Sequence, residues 1–300
     1  MPILGSFGAG SGRGFGQTAA AGGPRCITYD FFIVGGGGGG VQAYGGGGGA
    51  GGVHYSYCAP GTCGVTLNTD CGPISVQVGT GGAGNSGPGG GNTPYPAGDG
   101  GTSIAFKCSP LEITVKGGGG AETRHKNGRA APDPLGGSGG GGGCFHTSPT
   151  SGGAGSCYGN PGSGAPSQSC GPSRFRSGSG GGACTAAAAG GNGPGAAGCG
   201  KVSDIDGSSK NYGCGGIGSG VAGCLNGRGD GGGPVCATAN QGGGGGRAGT
   251  GAGADGVVYL RFPTSCKPGC LAVTPGCNSI LAAGGCTVLK FVVSGCVTFD

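Results

Sequence analysis

The sequence predicts a mainly β protein: a small antiparallel β-sandwich or jelly roll that carries an inserted bundle of polyglycine-II helices, with little or no α-helix. Three observations predict it. Glycine supplies 90 of the 300 residues in contiguous runs such as Gly35 to Gly40, Gly45 to Gly49 and Gly139 to Gly143. Short β-branched and aromatic stretches interrupt these runs, and 18 cysteines are spread along the chain. A collagen helix is excluded, because it needs glycine at every third position with abundant proline, and only 19 prolines are present. Glycine tracts alone read as linker, since glycine loses the most backbone entropy on ordering. The apolar runs and the cysteines argue for a folded object instead.

Residues 1–25 are small and show no periodicity, so they read as an N-terminal attachment arm and not as a domain. From Cys26 the character changes. Ile27 to Val34 (ITYDFFIV) has the β-branched and aromatic content of a strand and stops at six glycines. Gly52 to Tyr57, Ile74 to Val78, Ser103 to Phe106, Leu111 to Val115 and Val257 to Phe262 are similar runs of strand length. Residues 26–116 together with 255–262 therefore form the expected β-sandwich. Thr287 to Val293 and Val297 to Phe299 lie in a cysteine-dense tail, and 263–300 is expected to be a separate C-terminal cap.

The stretch 117–254 has almost no strand or helix signal and is far too long for an ordinary loop. Its cysteines are nearly periodic: Cys144, Cys157, Cys170, Cys184, Cys199, Cys214, Cys224 and Cys236 lie 13, 13, 14, 15, 15, 10 and 12 apart. Each interval suits one extended glycine helix of roughly 30 to 40 Å, at about 3.1 Å per residue and three residues per turn. Such helices have no internal hydrogen bonds, so packed side by side they must satisfy one another's N–H and C=O groups. Turns are expected at Asn160-Pro161, Asn192-Gly193-Pro194, Asn226-Gly227 and Gly233-Pro234. The cysteines are candidate disulfide staples between neighbouring helices, and spacing leaves their connectivity open.

Composition narrows function. With 34% hydrophobic residues and no Trp, any core must be local. A net charge of +5 arises from basic residues scattered singly, the longest block being Arg124-His125-Lys126, so no nucleic-acid groove is expected. The chain contains no C-x-x-C pair and only His54, His125 and His146 as imidazoles, which favours up to nine disulfides over zinc and predicts no metal or other cofactor. No apolar run is long enough for a membrane span, and Met1 to Gly16 lacks a signal-peptide core. A chain that oxidises outside a cell without such a leader suits a particle released by lysis.

Motif matches are weak. Gly195 to Lys201 fits a phosphate loop, but Val202 stands where a Ser or Thr must reach magnesium, and chance matches abound in a glycine-rich chain. Arg228-Gly229-Asp230 sits in a glycine-rich setting where the tripeptide arises by chance. His54 and His146 are single imidazoles without a nucleophile and orienting acid, and Asp204 with Asp206 make no calcium loop. No enzyme is expected.

LGSFGAGSGRGFG (Leu4 to Gly16), YDFFIVGGGGGG (Tyr29 to Gly40), GGGGGAGGV (Gly45 to Val53), ISVQVGTGGAG (Ile74 to Gly84), GGTSIAF (Gly100 to Phe106), ITVKGGGG (Ile113 to Gly120) and DGVVYLRF (Asp255 to Phe262), in this order, resemble glycine-rich structural proteins of tailed bacteriophages, especially marine cyanophages. The resemblance covers about residues 1–262 and implies a virion component, a tail fibre or other appendage that displays a rigid surface for host attachment. A jelly-roll sheet with inserted polyglycine helices also occurs in the ectodomains of anaplastic and leukocyte lymphoma kinases. The 18 cysteines and the tail after Phe262 depart from the phage pattern. Capsid decoration, or a secreted glycine-rich matrix or ligand-binding domain, is the alternative. Expected partners are other virion proteins through the arm, a host surface glycan or receptor, and further copies of the chain, with a trimer first. Phe145, His146, Tyr158, Phe175 and Tyr212, in loops of the glycine-rich insert, are the expected receptor contacts.

Overall fold

The computed structural model describes residues 26–41, 45–57, 64–68, 72–85, 96–123, 125–144, 149–166, 170–171, 174–188, 196–218, 239–246 and 251–299. These are organised as antiparallel β-sheet, and the one helical piece among them is a 3-10 turn at Thr264–Cys266. The strands are β1 (Cys26–Val34), β2 (Val53–Tyr55), β3 (Val65–Asn68), β4 (Ile74–Gln77), β5 (Ser103–Lys107), β6 (Ile113–Val115), β7 (Cys170–Gly171), β8 (Arg174–Phe175), β9 (Lys201–Ser203), β10 (Lys210–Tyr212), β11 (Val257–Pro263), β12 (Leu271–Thr274), β13 (Ser279–Ala283), β14 (Cys286–Phe291) and β15 (Gly295–Phe299).

One sheet has the order β13-β14-β11-β1-β2, with β3 also on β1; the other has the order β12-β15-β4-β5-β6. Strand β1 explains the arrangement. Ile27, Tyr29, Phe31 and Ile33 point to a core shared with Val76, Phe106, Val115 and Val297 of the second sheet. Phe32 and Val34 point the other way, into a second cluster with Ile205 and Tyr212. Burial on both faces is why the sequence reads FFIV and not as a simple alternation. Val257 to Phe262 in β11 repeats the logic beside it.

The C-terminal tail is not a separate cap. β14 pairs with β11, and β15 pairs with β4, so residues after 263 complete both sheets. Without them β11 and β4 would each present a bare edge, and the tail's own Val288, Leu289 and Phe291, all 0% exposed, are built into the protein's buried core. β3 is only four residues long, and the hairpin β9-β10 is short and largely polar, so neither is a strong strand signal in the sequence.

The glycine runs leave the sheet ends and pack on one another by backbone hydrogen bonds. In 35–41 successive N–H groups turn to different neighbours and return to the same one at every third residue. Gly35 and Gly38 donate to Gly52 and Gly49, Gly36 and Gly39 to Gly101 and Gly98, and Gly37 and Gly40 to Ala254 and Gly251, at 2.6 to 3.0 Å. Each of these three segments runs antiparallel to 35–41. The carbonyls of Gly36 and Gly39 accept from Gly118 and Ala121, those of Gly37 and Gly40 from Gly82 and Asn85, and that of Gly38 from Gly245. Segment 45–52 is enclosed similarly: its donors reach 116–122, 178–181 and 242–245, and its carbonyls accept from Val41, Gly38 and Gly35, from Gly141 and Ser138, and from Gly216.

Candidate functional site

The glycine lattice is a backbone object, and side chains enter only where it needs a missing partner. Adding a Cβ to Gly37 would place it 2.0 Å from the Gly243 carbonyl oxygen, and at Gly100 1.9 Å from that of Gly36. Glycine is required there by closeness of approach. Asp99 supplies an acceptor the lattice lacks: its Oδ1 takes the Gly120 N–H at 2.8 Å, while its Oδ2 pairs with Arg129 at 2.7 Å. Ser103, 0% exposed, accepts from the Gly79 N–H and donates to the Val34 carbonyl at 2.7 Å, joining the lattice to the sheet. The result is a surface-to-core scaffold held at fixed spacing by hydrogen bonds.

The hairpin β9-β10 is clamped over the outer face of the first sheet by a buried polar chain. The Tyr212 and Tyr259 hydroxyls lie 3.0 Å apart, and Tyr259 donates to Asp206 at 3.2 Å. Asp206 also pairs with Lys210 and accepts from the Ser208 N–H at 3.1 Å. Burial opposes ionisation of Asp206, but the Lys210 ammonium and these donors hold its carboxyl below the usual value. Burial pushes Tyr212 up to about 12, with Asp206 adding to the rise, and moves Tyr259 and Tyr29 upward as well.

Of the expected receptor contacts, the structure buries Tyr212 and half-buries Tyr158. Tyr212 is a correction: its ring is 1% exposed, packs 4.9 Å from Phe32, and belongs to the clamp. Tyr158 is half-buried, stacked at 4.6 Å on His54, whose pKa burial lowers; its carbonyl accepts the Val53 N–H, so the residue ties a loop to the sheet. Phe175 lies in the two-residue strand β8, paired with Cys170 of β7. Phe145, His146 and the 228–230 tripeptide lie outside the described residues, as do Cys224, Cys236 and the arm. Among the disulfide candidates, Cys144 is bonded, whereas Cys157 and Cys184 are exposed thiols, because the lattice is joined backbone to backbone and the cysteines fall at its turns. Lys201 and Val202 lie in β9, so no helix begins where the phosphate-loop match would need one.

A polar groove lies on the second sheet, which sequence reasoning missed. The β4–β5 register slips between Ser75↔Lys107 and Gln77↔Ile104, a bulge, and Phe106 and Cys108 on either side of Lys107 have φ of 55° and 64°. Such strained, bulged positions re-aim side chains. Lys107 donates to Gln77 at 2.7 Å, and Gln77 donates to the Thr102 carbonyl at 3.2 Å. With Thr80, Thr102 and Ser294 they line a groove of about 310 Å³. Next to it, between the sheets, Tyr29, Leu67, Ile74 and Phe106 line a smaller cavity of about 50 Å³. Among the described residues the buried Tyr29 hydroxyl has no hydrogen-bond partner. No residue type in the sequence signals the groove, because a one-residue slip between strands 30 positions apart creates it.

A family model described as a glycine-rich domain matches residues 15–263. No curated protein and no solved structure matches the chain. Among the described residues no helix is long and apolar enough to cross a membrane.

Proposed function

Starting from a chain that belongs to the glycine-rich domain family, we propose that the protein is a structural component of a tailed-phage virion, a tail fibre or appendage part that holds a rigid surface against the host. The glycine lattice carries this reading. Its three-residue hydrogen-bond period is that of polyglycine-II helices, and the two sheets with their shared core supply a jelly-roll-like base. A lattice of this kind resists deformation in every direction across its axis, since each rod is bonded on all sides. It has no chemistry of its own, which suits mechanical display and not catalysis.

The groove at Gln77, Thr80, Thr102, Lys107 and Ser294 is the surface we assign to host contact. Hydroxyl, amide and ammonium groups in an open depression match the donors and acceptors of a glycan. The residues 1–25 are assigned to attachment within the particle, and copies of the chain associate as a trimer.

Immunogold labelling of purified particles with an antibody against residues 140–236, read by electron microscopy, tests the reading. Gold on fibres or appendages is the expected result. Gold over the capsid reassigns the chain to decoration, and absence of label from every particle overturns the virion role.

A further inference from the structure

Three unfavourable features meet at one end of the sandwich, where β1 and β3 face β4 and β5. A cavity of about 50 Å³ runs inward from the exposed Gly72, Pro73 and Lys107 to Tyr29, which is 0% exposed. Its walls are apolar, formed by Leu67, Ile74, Phe106 and Phe299. At this closed end the Tyr29 hydroxyl has no hydrogen-bond partner among the described residues, and burying a hydroxyl unpaired is destabilising. The ring cannot turn away to find one, because it is held edge-on to Phe106 at 6.0 Å and to Phe262 at 5.2 Å. Phe106, 1% exposed, has a φ of 55°, a left-handed backbone that a bulky residue adopts only under strain. A void, an orphan donor and a strained wall in one place mark a preformed ligand site, since packing alone would remove all three.

The cavity selects the size and the chemistry of its occupant. An apolar cavity of roughly 150 Å³ holds a benzene ring, so one of about 50 Å³ suits roughly two to four non-hydrogen atoms. The walls favour a methyl group, and the phenol hydroxyl favours a carbonyl oxygen beside it. Lys107 lines both this cavity and the groove assigned above to glycan contact. We propose, resting on that glycan reading, that the cavity is the subsite for the acetamido group of an N-acetylated hexosamine. The acetamido methyl packs among Ile74, Phe106 and Phe299, and its carbonyl oxygen accepts from the Tyr29 hydroxyl. The sugar ring stays outside at the rim, where Lys107 leads into the groove. Discrimination follows from the same groups. A plain sugar leaves the cavity empty and Tyr29 unpaired. A deacetylated amino sugar brings an ammonium toward an apolar hole beside the Lys107 ammonium, where desolvation and like charge both oppose it.

The assay is titration calorimetry and saturation-transfer NMR of the full chain with the methyl glycosides of N-acetylglucosamine and N-acetylgalactosamine, each beside its plain and deacetylated counterparts. At least one acetylated sugar is expected to bind about tenfold more tightly than its counterparts, with the acetamido methyl taking the strongest saturation. Tyr29→Phe is expected to weaken that sugar about tenfold while raising the melting temperature of the free protein, opposite effects that a purely structural tyrosine would not give. If Tyr29→Phe does not fold, Leu67→Phe fills the cavity from β3, and it is expected to abolish the acetamido preference while plain sugars bind as before. Wild-type affinity in Tyr29→Phe overturns the subsite. Acetylated and plain sugars bound equally, with binding lost in Lys107→Ala, overturns the subsite and leaves the groove as the glycan surface, whereas binding of no sugar overturns both. None of these results bears on the virion assignment, which the particle labelling decides independently.

Discussion

Replacing Gly37 by alanine tests the lattice at its most enclosed segment. The new Cβ would lie 2.0 Å from the Gly243 carbonyl oxygen and 2.4 Å from its carbon. Real Cβ contacts essentially never fall under 3.0 Å, so one backbone must retreat by about 1 Å or more, an overpacking that costs about 1 to 3 kcal/mol. Neither side can move freely. Gly37 donates to Ala254 at 2.9 Å and accepts from Gly82 at 2.8 Å, while Gly243 accepts from Ala254 at 2.8 Å. Weakening two of these buried bonds costs about 1 kcal/mol each, which brings the total to roughly 3 to 5 kcal/mol. At about 2 to 4 °C per kcal/mol for a chain of this size, the melting temperature falls by roughly 6 to 20 °C. Gly276→Ala is the control: that glycine is exposed, an added Cβ would have nothing within 4 Å, and its replacement is expected to change stability by less than about 1 kcal/mol. Thermal unfolding followed by circular dichroism under reducing conditions compares the two. Equal melting temperatures for Gly37→Ala and the wild type would refute the close-packed lattice.

Other perturbations probe the sheets and the clamp. Tyr29, Tyr212 and Tyr259 are held un-ionised by burial, so their stabilisation is complete below pH 10 and is lost as pH rises from there toward the folded values. Tyrosinate absorbance is expected to jump cooperatively with unfolding in that window, and smooth titration of all phenols near pH 10 with the fold intact would contradict it. Tyr29→Phe removes a buried hydroxyl that has no partner among the described residues and is expected to stabilise the protein by about 1 to 3 kcal/mol in urea unfolding; destabilisation would mean that the hydroxyl is satisfied. Asp206→Asn is expected to cost about 1.5 to 3 kcal/mol by weakening the bonds to Lys210, Ser208 and Tyr259. Because the folded Asp206 carboxyl lies below the ordinary value of 3.8, the wild-type advantage is present above that pH and fades as pH falls through the folded value. A variant gap unchanged down to pH 2 would argue against the ion pair.

The chain's local chemistry determined the class of fold and the position of its main strands. Ile27 to Val34, Ile74 to Val78 and Val257 to Phe262 are legible because β-branched and aromatic side chains carry both propensity and burial, and glycine runs are legible because nothing else is so bare. The candidate site was much less legible. The groove depends on a slip between β4 and β5, and the clamp depends on Tyr212 meeting Tyr259 across 47 positions. An aromatic residue in a glycine-rich loop looks displayed until a sheet face closes over it. Val65–Asn68 and Lys210–Tyr212 become strands because β1 and β9 offer partners, not because their own residues demand it. The tail likewise reads as an appendage, yet only the bare edges of β11 and β4 explain why it joins both sheets. Above all, which glycine segments lie side by side was decided by the tertiary structure. Glycine has no side chain to encode a neighbour or a register, so the order of the lattice is imposed at its ends by the sheets that launch and receive each segment.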